Sequence, residues 1–449
     1  MPDNPNEQKE GVRKLPDILA SLSLANFSFI AIWDPLLNYT PAQAFMFEHA
    51  PPRAAYLAAF ANVALLTLAF FGLIRLARFA ARRFGTIGFL FGTLPCVLLV
   101  SLPAAKSFLR LVLNRDPFGD QWLIATIFLA ALLLIAAVAR HRFFALATAV
   151  LVTISPLIAI EAIISISKCW RDPTTFYPNG PLAARTLPDS RPRIIWIIFD
   201  ELDYRLAFTD RIATTPLPEL DRLRAESIFA ENAASPGPDT IPSVPSLITG
   251  QPIDDFNVRS FTLPTIFSSA HAMGANVSVT GWYIPYCRMF SKDLANCSFH
   301  EWETELSGSG DTFGENLVAQ FQSLYSYGVR TLWGKTPRAR HRISMLHKMH
   351  EEALKNVTDP TLNLVFLHLP VPHPPHLYDR FTYTFPNRGF GSGDYYDSIV
   401  LADNYLGDIR QAMTDAGLWD SSTVLVTSDH PDRTSTILDG KSDWRIPFL

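Results

Sequence analysis

Cysteine is scarce. Four occur in 449 residues, so no disulfide framework dominates the fold. Net charge is nearly absent too, a formal -4 at pH 7, and gives no basic surface for nucleic acid. No small-residue cleavage site follows the first apolar run, so that run does not read as a removable secretory signal. Apolar residues are in excess. They make up 48% of the chain, with 32 Phe, and mean hydropathy is +0.14. This weight lies in the first third, and the length leaves room for two or three domains.

Five apolar runs stand out, at 18–33, 54–74, 87–102, 122–138 and 143–166. They are expected to form about five transmembrane helices within residues 1–166. Arginine and lysine locate the ends. The amino-terminal tail holds Lys9, Arg13 and Lys14; the second loop holds Arg75, Arg78, Arg82 and Arg83; the fourth holds Arg140 and Arg142. The first loop has only Arg53, although the third carries Lys106, Arg110 and Arg115. This bias puts the tail and the even loops in the cytoplasm, and an odd number of spans delivers the rest outside the inner membrane. Residues 167–192 then read as a linker, because five prolines keep them out of helix and central strand.

From residue 193 onward the pattern changes to strands that end in polar residues. I-I-W-I-I-F at 194–199 suits a strand buried on both faces of a parallel sheet. It stops at Asp200 and Glu201, where α/β sheets place ligands. T-V-L-V-T-S at 423–428 runs in the same way into Asp429 and His430. If these strands are parallel neighbours, three carboxylates and an imidazole converge. Unpaired buried carboxylates cost several kcal/mol each, and a divalent cation resolves that conflict. The mixed oxygen and nitrogen set favours zinc or manganese, and calcium suits the histidine less. A third strand, within 362–369, runs into a proline loop with His368, His373 and His376. Of these, His373, between two prolines, is the one expected to meet substrate.

The stretch 235–250, S-P-G-P-D-T-I-P-S-V-P-S-L-I-T-G, is punctuated by proline and glycine and then reads as a helix start with Gly250 behind it. A hydroxyl at Thr240 or Ser243 would sit beside free helix N–H groups, which stabilise an anion. Ser243 is the rival nucleophile; its place inside the helix start suits capping.

The order of these motifs resembles the sulfatase and alkaline phosphatase superfamily over residues 193–449. That resemblance implies an α/β fold, an alkaline-phosphatase-like mixed sheet sandwiched by helices, behind the transmembrane bundle. It implies that Asp200, Thr240, Asp429 and His430 share a divalent metal, with Glu201 assisting. Sulfatases carry C-x-P-S-R ahead of a helix ending L-T-G. Here Thr240 takes the cysteine place, Pro242 and Ser243 match, and Val244 replaces the arginine. Thr240 cannot become formylglycine, so sulfate ester hydrolysis by the usual route is not expected. T-x-x-S-V-P behind membrane helices is similar to phosphoethanolamine transferases and lipoteichoic acid synthases. The implied activity is transfer from a phospholipid, or to an envelope glycan, through Thr240 as nucleophile with His373 assisting; phosphate or sulfate ester hydrolysis is the alternative. The implied partners are the lipid bilayer and a phospholipid or glycan substrate.

The remaining stretches carry less chemistry. Residues 275–280 read as a strand, and 313–357 as largely helical, broken near Pro337. Residues 395–412 have the apolar spacing of a packing helix. Lys335, Arg338, Arg340, Arg342 and Lys348 read as a solvated helix face, or one that meets lipid headgroups. Cys287 and Cys297 are close enough for a small-loop disulfide outside the cytoplasm. The chain ends on an incipient apolar strand, 444–449, as a shortened domain would, with Lys441 beside it.

Overall fold

The computed structural model describes residues 5–37, 53–88, 140–170, 180–186, 192–254, 256, 261–300, 312–328, 337–386, 393–433, 440 and 443–449. The apolar run 122–138, nearly all of 87–102, and Lys335 and Lys441 lie outside them. The chain divides into two compact units.

The first unit is helical. It contains α1 (Pro5–Ser28), α2 (Ile30–Leu37), α3 (Arg53–Gly88), α4 (Arg140–Ile154), α5 (Leu157–Trp170) and the later helix Phe313–Gly328. Phe29, Trp33 and Leu36 pack against Tyr56, Ala59 and Val63 of α3. Trp33 donates its indole N–H to Asn26 Oδ1 at 2.8 Å, the partner such a donor needs away from water. Among the described residues, two helical spans are long and apolar enough to cross a membrane: Arg53–Leu76, and Thr148–Lys168, which runs through the turn between α4 and α5. Only 22% and 11% of their most apolar stretches are buried. Leu68 and Ile163 are 68% and 66% exposed, so these are not core helices of the kind that hide an apolar stripe.

The second unit is built on a parallel sheet of five strands in the order β3-β2-β4-β1-β5. The strands are β1 (Arg193–Phe199), β2 (Val277–Trp282), β3 (Asn296–His300), β4 (Leu364–Leu369) and β5 (Ser422–Thr427). Every pairing between them is parallel, and antiparallel contact is limited to single bridges such as Thr427 with Phe448. β1 is flanked by β4 and β5, with Ile198 level with His368 on one side and Thr427 on the other. That register brings three strand ends together at one edge.

Strand periodicity sorts the side chains onto two cores. Ile195, Ile197 and Phe199 of β1 and Val365, Leu367 and Leu369 of β4 enter one core. There they meet α6 (Pro218–Glu226), α10 (Pro337–Val357) and α11 (Tyr395–Asp415). Ile198, Leu364 and Phe366 enter the other. There they meet α7 (Thr240–Thr249), α8 (Ile266–Ala272) and α9 (Tyr286–Met289). Phe366, wholly buried, meets Phe267, Tyr286 and Trp196 edge-on or tilted at ring distances of 5.2, 5.7 and 5.5 Å. Truncating such a ring costs about 3–5 kcal/mol. The expected helices at 337–357 and 395–412 are present, whereas the strand expected at 275–280 lies two residues further on, at Val277–Trp282.

The start of α6 is held from α11. Asp403, 1% exposed, accepts the N–H groups of Leu220 at 2.8 Å and Glu219 at 3.3 Å. Burial raises its pKa to about 7, against the pull of those two donors. The unfolded chain releases this proton near pH 4. Between about 4 and about 7 the folded protein therefore binds more protons, and this contribution to stability is lost as pH rises through that window. Thermal unfolding of the wild-type chain should thus weaken by up to a few kcal/mol relative to Asp403→Asn between about pH 5 and about pH 8. Parallel pH profiles would contradict it.

Candidate active site

β1 and β5 release the chain at adjacent points. Asp200 directly follows β1, and Asp429 and His430 follow β5 by two and three residues. All three side chains are wholly buried. One ligand atom from each lies within 4.8 Å of the others. His430 Nε2 stands 3.8 Å from Asp200 Oδ1 and 3.5 Å from Asp429 Oδ2. The convergence of strand ends expected from the sequence is therefore present for these three residues.

The hydrogen bonds leave a matched set of lone pairs. Asp429 Oδ1 accepts the backbone N–H of Glu201 at 3.1 Å and of His430 at 2.9 Å. Asp200 Oδ2 accepts the indole N–H of Trp282 at 3.0 Å. Asp200 Oδ1 and Asp429 Oδ2 have no hydrogen-bond partner although buried. His430 Nδ1 lies 2.9 Å from the Pro431 carbonyl; a carbonyl only accepts, so Nδ1 carries a proton, and it is Nε2 that faces the carboxylates, where the neutral form of the ring would offer a cation its lone pair. Buried oxygens without donors cost energy, and two oxygens with one nitrogen fit a divalent cation. Burial works against charge on Asp200, but His373, His368 and His430 hold it below the usual carboxylate range. Burial and the charge of Asp200 push Asp429 up. Burial opposes charge on His430 too, but Asp429 and Asp200 raise it. A cation would replace this shared proton load.

Thr240 opens α7, three residues ahead of the start that the sequence placed at Ser243. Gly250 closes the helix in the left-handed conformation with φ 70. Thr240 Oγ1 is 3.3 Å from His430 Nε2 and Thr240 is 7% exposed. Asp239, at the N-cap, makes no side-chain cap and instead accepts from Arg433 Nη1 at 2.8 Å. Ser243 does not cap the helix as expected. Its hydroxyl, wholly buried, donates to the Gly237 carbonyl at 3.0 Å and fixes the turn before the helix. Gly237 sits so close that a Cβ there would lie 2.7 Å from Pro242. Val244 is wholly buried in the second core.

Glu201 stands apart from this group. Its φ of 66 lies in the left-handed region, a strain of about 1–3 kcal/mol that surrounding structure must hold. Tyr395 does so by donating its hydroxyl to the Glu201 carbonyl. The turn points the Glu201 carboxylate at Arg433, whose Nη2 and Nε lie 2.6 and 2.8 Å from Oε1. Burial and the charge of Asp200 still raise Glu201 to about 8, against the pull of Arg433. His373 completes this second cluster, with Nε2 3.9 Å from Glu201 Oε1 and 3.4 Å from Arg433 Nη2. Its Nδ1 faces the Pro374 carbonyl at 2.6 Å. Burial lowers it to about 4, so the resting ring is neutral.

The sequence reading named His368 without singling it out, missed Trp282 and Arg433, and misplaced Arg342. His368, one of three histidines in its motif, turns Nε2 to Asp200 Oδ2 at 3.5 Å while Nδ1 meets the Tyr286 hydroxyl at 2.9 Å. Trp282 ends β2, the same kind of place as Asp200. Arg433 lies only three residues beyond His430. Arg342 is not on a solvated face: it is 3% exposed, stacks 4.5 Å from the Trp282 ring and donates to the Pro370 carbonyl at 3.0 Å. His376 meets Ser398 and Tyr395 instead.

A parallel sheet with acids and histidine at its strand ends, beside a hydroxyl at a helix start, defines an alkaline-phosphatase-like α/β enzyme domain. The protein-family model Sulfatase matches residues 192–449, and the chain belongs to the sulfatase family. Among solved structures, it is similar to the phosphonate monoester hydrolase of Agrobacterium radiobacter, at 14% identity and a TM-score of 0.38, over 57% of this chain and 67% of that one. It is similar to a protein in the alkaline phosphatase superfamily from Vibrio parahaemolyticus, at 14% identity and a TM-score of 0.36, over 61% and 63%. It is also similar to the PsFucS1 sulfatase from a Pseudoalteromonas species, at 11% identity and a TM-score of 0.36, over 58% and 62%. This chain thus spans roughly two thirds of the length of each. No curated protein sequence matches it.

The donor set generates a test. Added Zn²⁺ or Mn²⁺ at a hundredfold its dissociation constant should stabilise the wild-type protein by about 2.7 kcal/mol. Asp429→Asn keeps the Oδ1 acceptor and removes the second carboxylate oxygen, so thermal unfolding of that variant should not respond. An equal response would show that the cation binds elsewhere.

Proposed function

We propose that the protein is a membrane-anchored, divalent-metal-dependent phosphotransferase that uses Thr240 as its nucleophile. One observation carries this reading: Thr240 Oγ1 is buried 3.3 Å from His430 Nε2, next to two carboxylate oxygens that lack donors. Asp200 Oδ1, Asp429 Oδ2 and His430 Nε2 would hold the ion, with Thr240 Oγ1 beside it. Zinc or manganese suits that set, and such an ion lowers the pKa of a ligated hydroxyl.

The residues then divide the work. Thr240 Oγ1 gives its proton to solvent water and attacks phosphorus in line. The new bond joins Thr240 oxygen to phosphorus, and the bond to the leaving alcohol oxygen breaks. The α7 N-terminus lacks a side-chain cap, which leaves its N–H dipoles to stabilise the alkoxide. Arg433 and His373 stand on the Glu201 side of the site, where a guanidinium fork suits phosphoryl oxygens. Glu201 and Asp239 restrain that fork. The leaving alcohol takes a proton from water or from His373 once an anionic phosphoryl group favours the ring's charged form. An acceptor hydroxyl reverses these steps and frees Thr240.

Several observations support an envelope setting. Among the described residues two helical spans are long and apolar enough to cross a membrane, and the arginine bias supports a multi-pass reading with the catalytic unit outside the cytoplasm. Cys287 and Cys297 form a disulfide, which persists in oxidising compartments. A bilayer phospholipid is then the donor at hand, and a headgroup the transferred unit. Hydrolysis is the second reading, favoured only in that water could take the acceptor's place.

The test uses the detergent-solubilised chain with headgroup-labelled phosphatidylethanolamine vesicles. Mass spectrometry of the Thr240 peptide should find the headgroup mass on the threonine. Thr240→Ala should lose it along with at least about a thousandfold in turnover. Free headgroup with an unmodified threonine would move the assignment to hydrolysis, and full activity of Thr240→Ala would remove Thr240 from the chemistry.

A further inference from the structure

Asp200 can offer a cation one oxygen or two, in more than one rotamer. The contact made by Trp282 settles that choice. Trp282 ends β2 and is 1% exposed. Its indole N–H points at Asp200 Oδ2 at 3.0 Å, leaving Oδ1, the oxygen on the His430 side, without a partner. Indole is a donor only and neither ionises nor accepts. It therefore occupies Oδ2 as an acceptor and delivers no proton to it. The same ring lies edge-on to His373, with centroids 5.0 Å apart at 69°. On the ring stands the Arg342 guanidinium, 4.5 Å away and tied to the Pro370 carbonyl.

We infer that Trp282 is a positioning residue: it fixes Asp200 so that Oδ1 alone faces the cation, and it sets the seat of His373 through the same ring. Arg342 clamps the ring from outside by cation–π attraction. A donor behind a ligand typically changes metal affinity about 10–100-fold. This inference rests on reading Asp200 as a cation ligand. A merely structural tryptophan would lower the melting temperature on substitution and leave cation affinity alone.

Calorimetric titration of the full chain in detergent with Zn²⁺ separates these roles. Trp282→Phe keeps a ring between His373 and Arg342 and removes the N–H. Its Zn²⁺ affinity should fall by about tenfold or more while the fold persists by circular dichroism. Affinity within about twofold of wild type would overturn the inference and leave the Thr240 chemistry untouched. A wild-type chain that binds no Zn²⁺ would overturn both. The wild-type protein gives a second measurement that needs no variant. With ¹⁵N-labelled tryptophan, one of the nine indole N–H signals should resist exchange with solvent and shift when Zn²⁺ is added. Spectra in which no protected indole signal moves would equally overturn it.

Discussion

Two carboxylates, Asp200 and Asp429, share a fully buried space with one imidazole between them. Nothing else in the described catalytic unit is so costly unless compensated, because isolated charge in a protein interior is worth several kcal/mol against folding. The hydrogen bonds offset half of each group. Trp282 serves one oxygen of Asp200, and two backbone N–H groups serve one oxygen of Asp429. The other two oxygens and the His430 lone pair remain. A single divalent ion would complete that set, and the Thr240 hydroxyl lies 3.3 Å from the imidazole nitrogen that faces it.

The sheet exists in this form to deliver those groups. β1 sits between β4 and β5, so Asp200, the proline loop and the Asp429–His430 pair leave at one edge. Isoleucine, valine and phenylalanine fill both faces of the sheet and make its interior rigid. Helix α7 rests on the second core through Val244 and Ile248, which fixes the threonine at its start. The strain at Glu201 has a use in this frame. Its left-handed turn presents the N–H to Asp429 and sends the carboxylate to Arg433. Two adjacent acids thereby serve two different clusters.

Much of this was legible in the sequence, and the reasons are physical. Short runs of β-branched and aromatic residues read as central strands, and it was the recurrence of acids and histidine at two such strand ends that pointed to a site. Proline and glycine around Thr240 marked a helix start and its end. What could not be read was direction. Glu201 follows Asp200 in sequence but turns away in space, because one positive φ redirects it. Trp282 was hidden because the strand reading stopped at Thr280, two residues short. Arg342 lies on a helix with other basic residues, and only the Trp282 ring, distant in sequence, shows that it is buried. Arg433 sits in a loop without periodicity, where residue type alone says little. The Cys287–Cys297 bond joins residues ten apart, and spacing permitted it without requiring it.

The family sets the fold, and this chain's own residues set the chemistry upon it. A threonine stands where a formylglycine precursor is expected, and a buried valine stands where an arginine is expected. A guanidinium reaches the site from the Glu201 side instead, that of Arg433, with the neutral ring of His373 beside it. Everything then turns on whether one ion joins three residues that are distant in the chain. Anomalous X-ray diffraction from zinc-loaded crystals measures this directly. The account predicts one peak about 2.0–2.2 Å from Asp200 Oδ1, Asp429 Oδ2 and His430 Nε2, with the Thr240 hydroxyl beside it. A peak elsewhere, or none, with those side chains bonded to one another or to water, would contradict it.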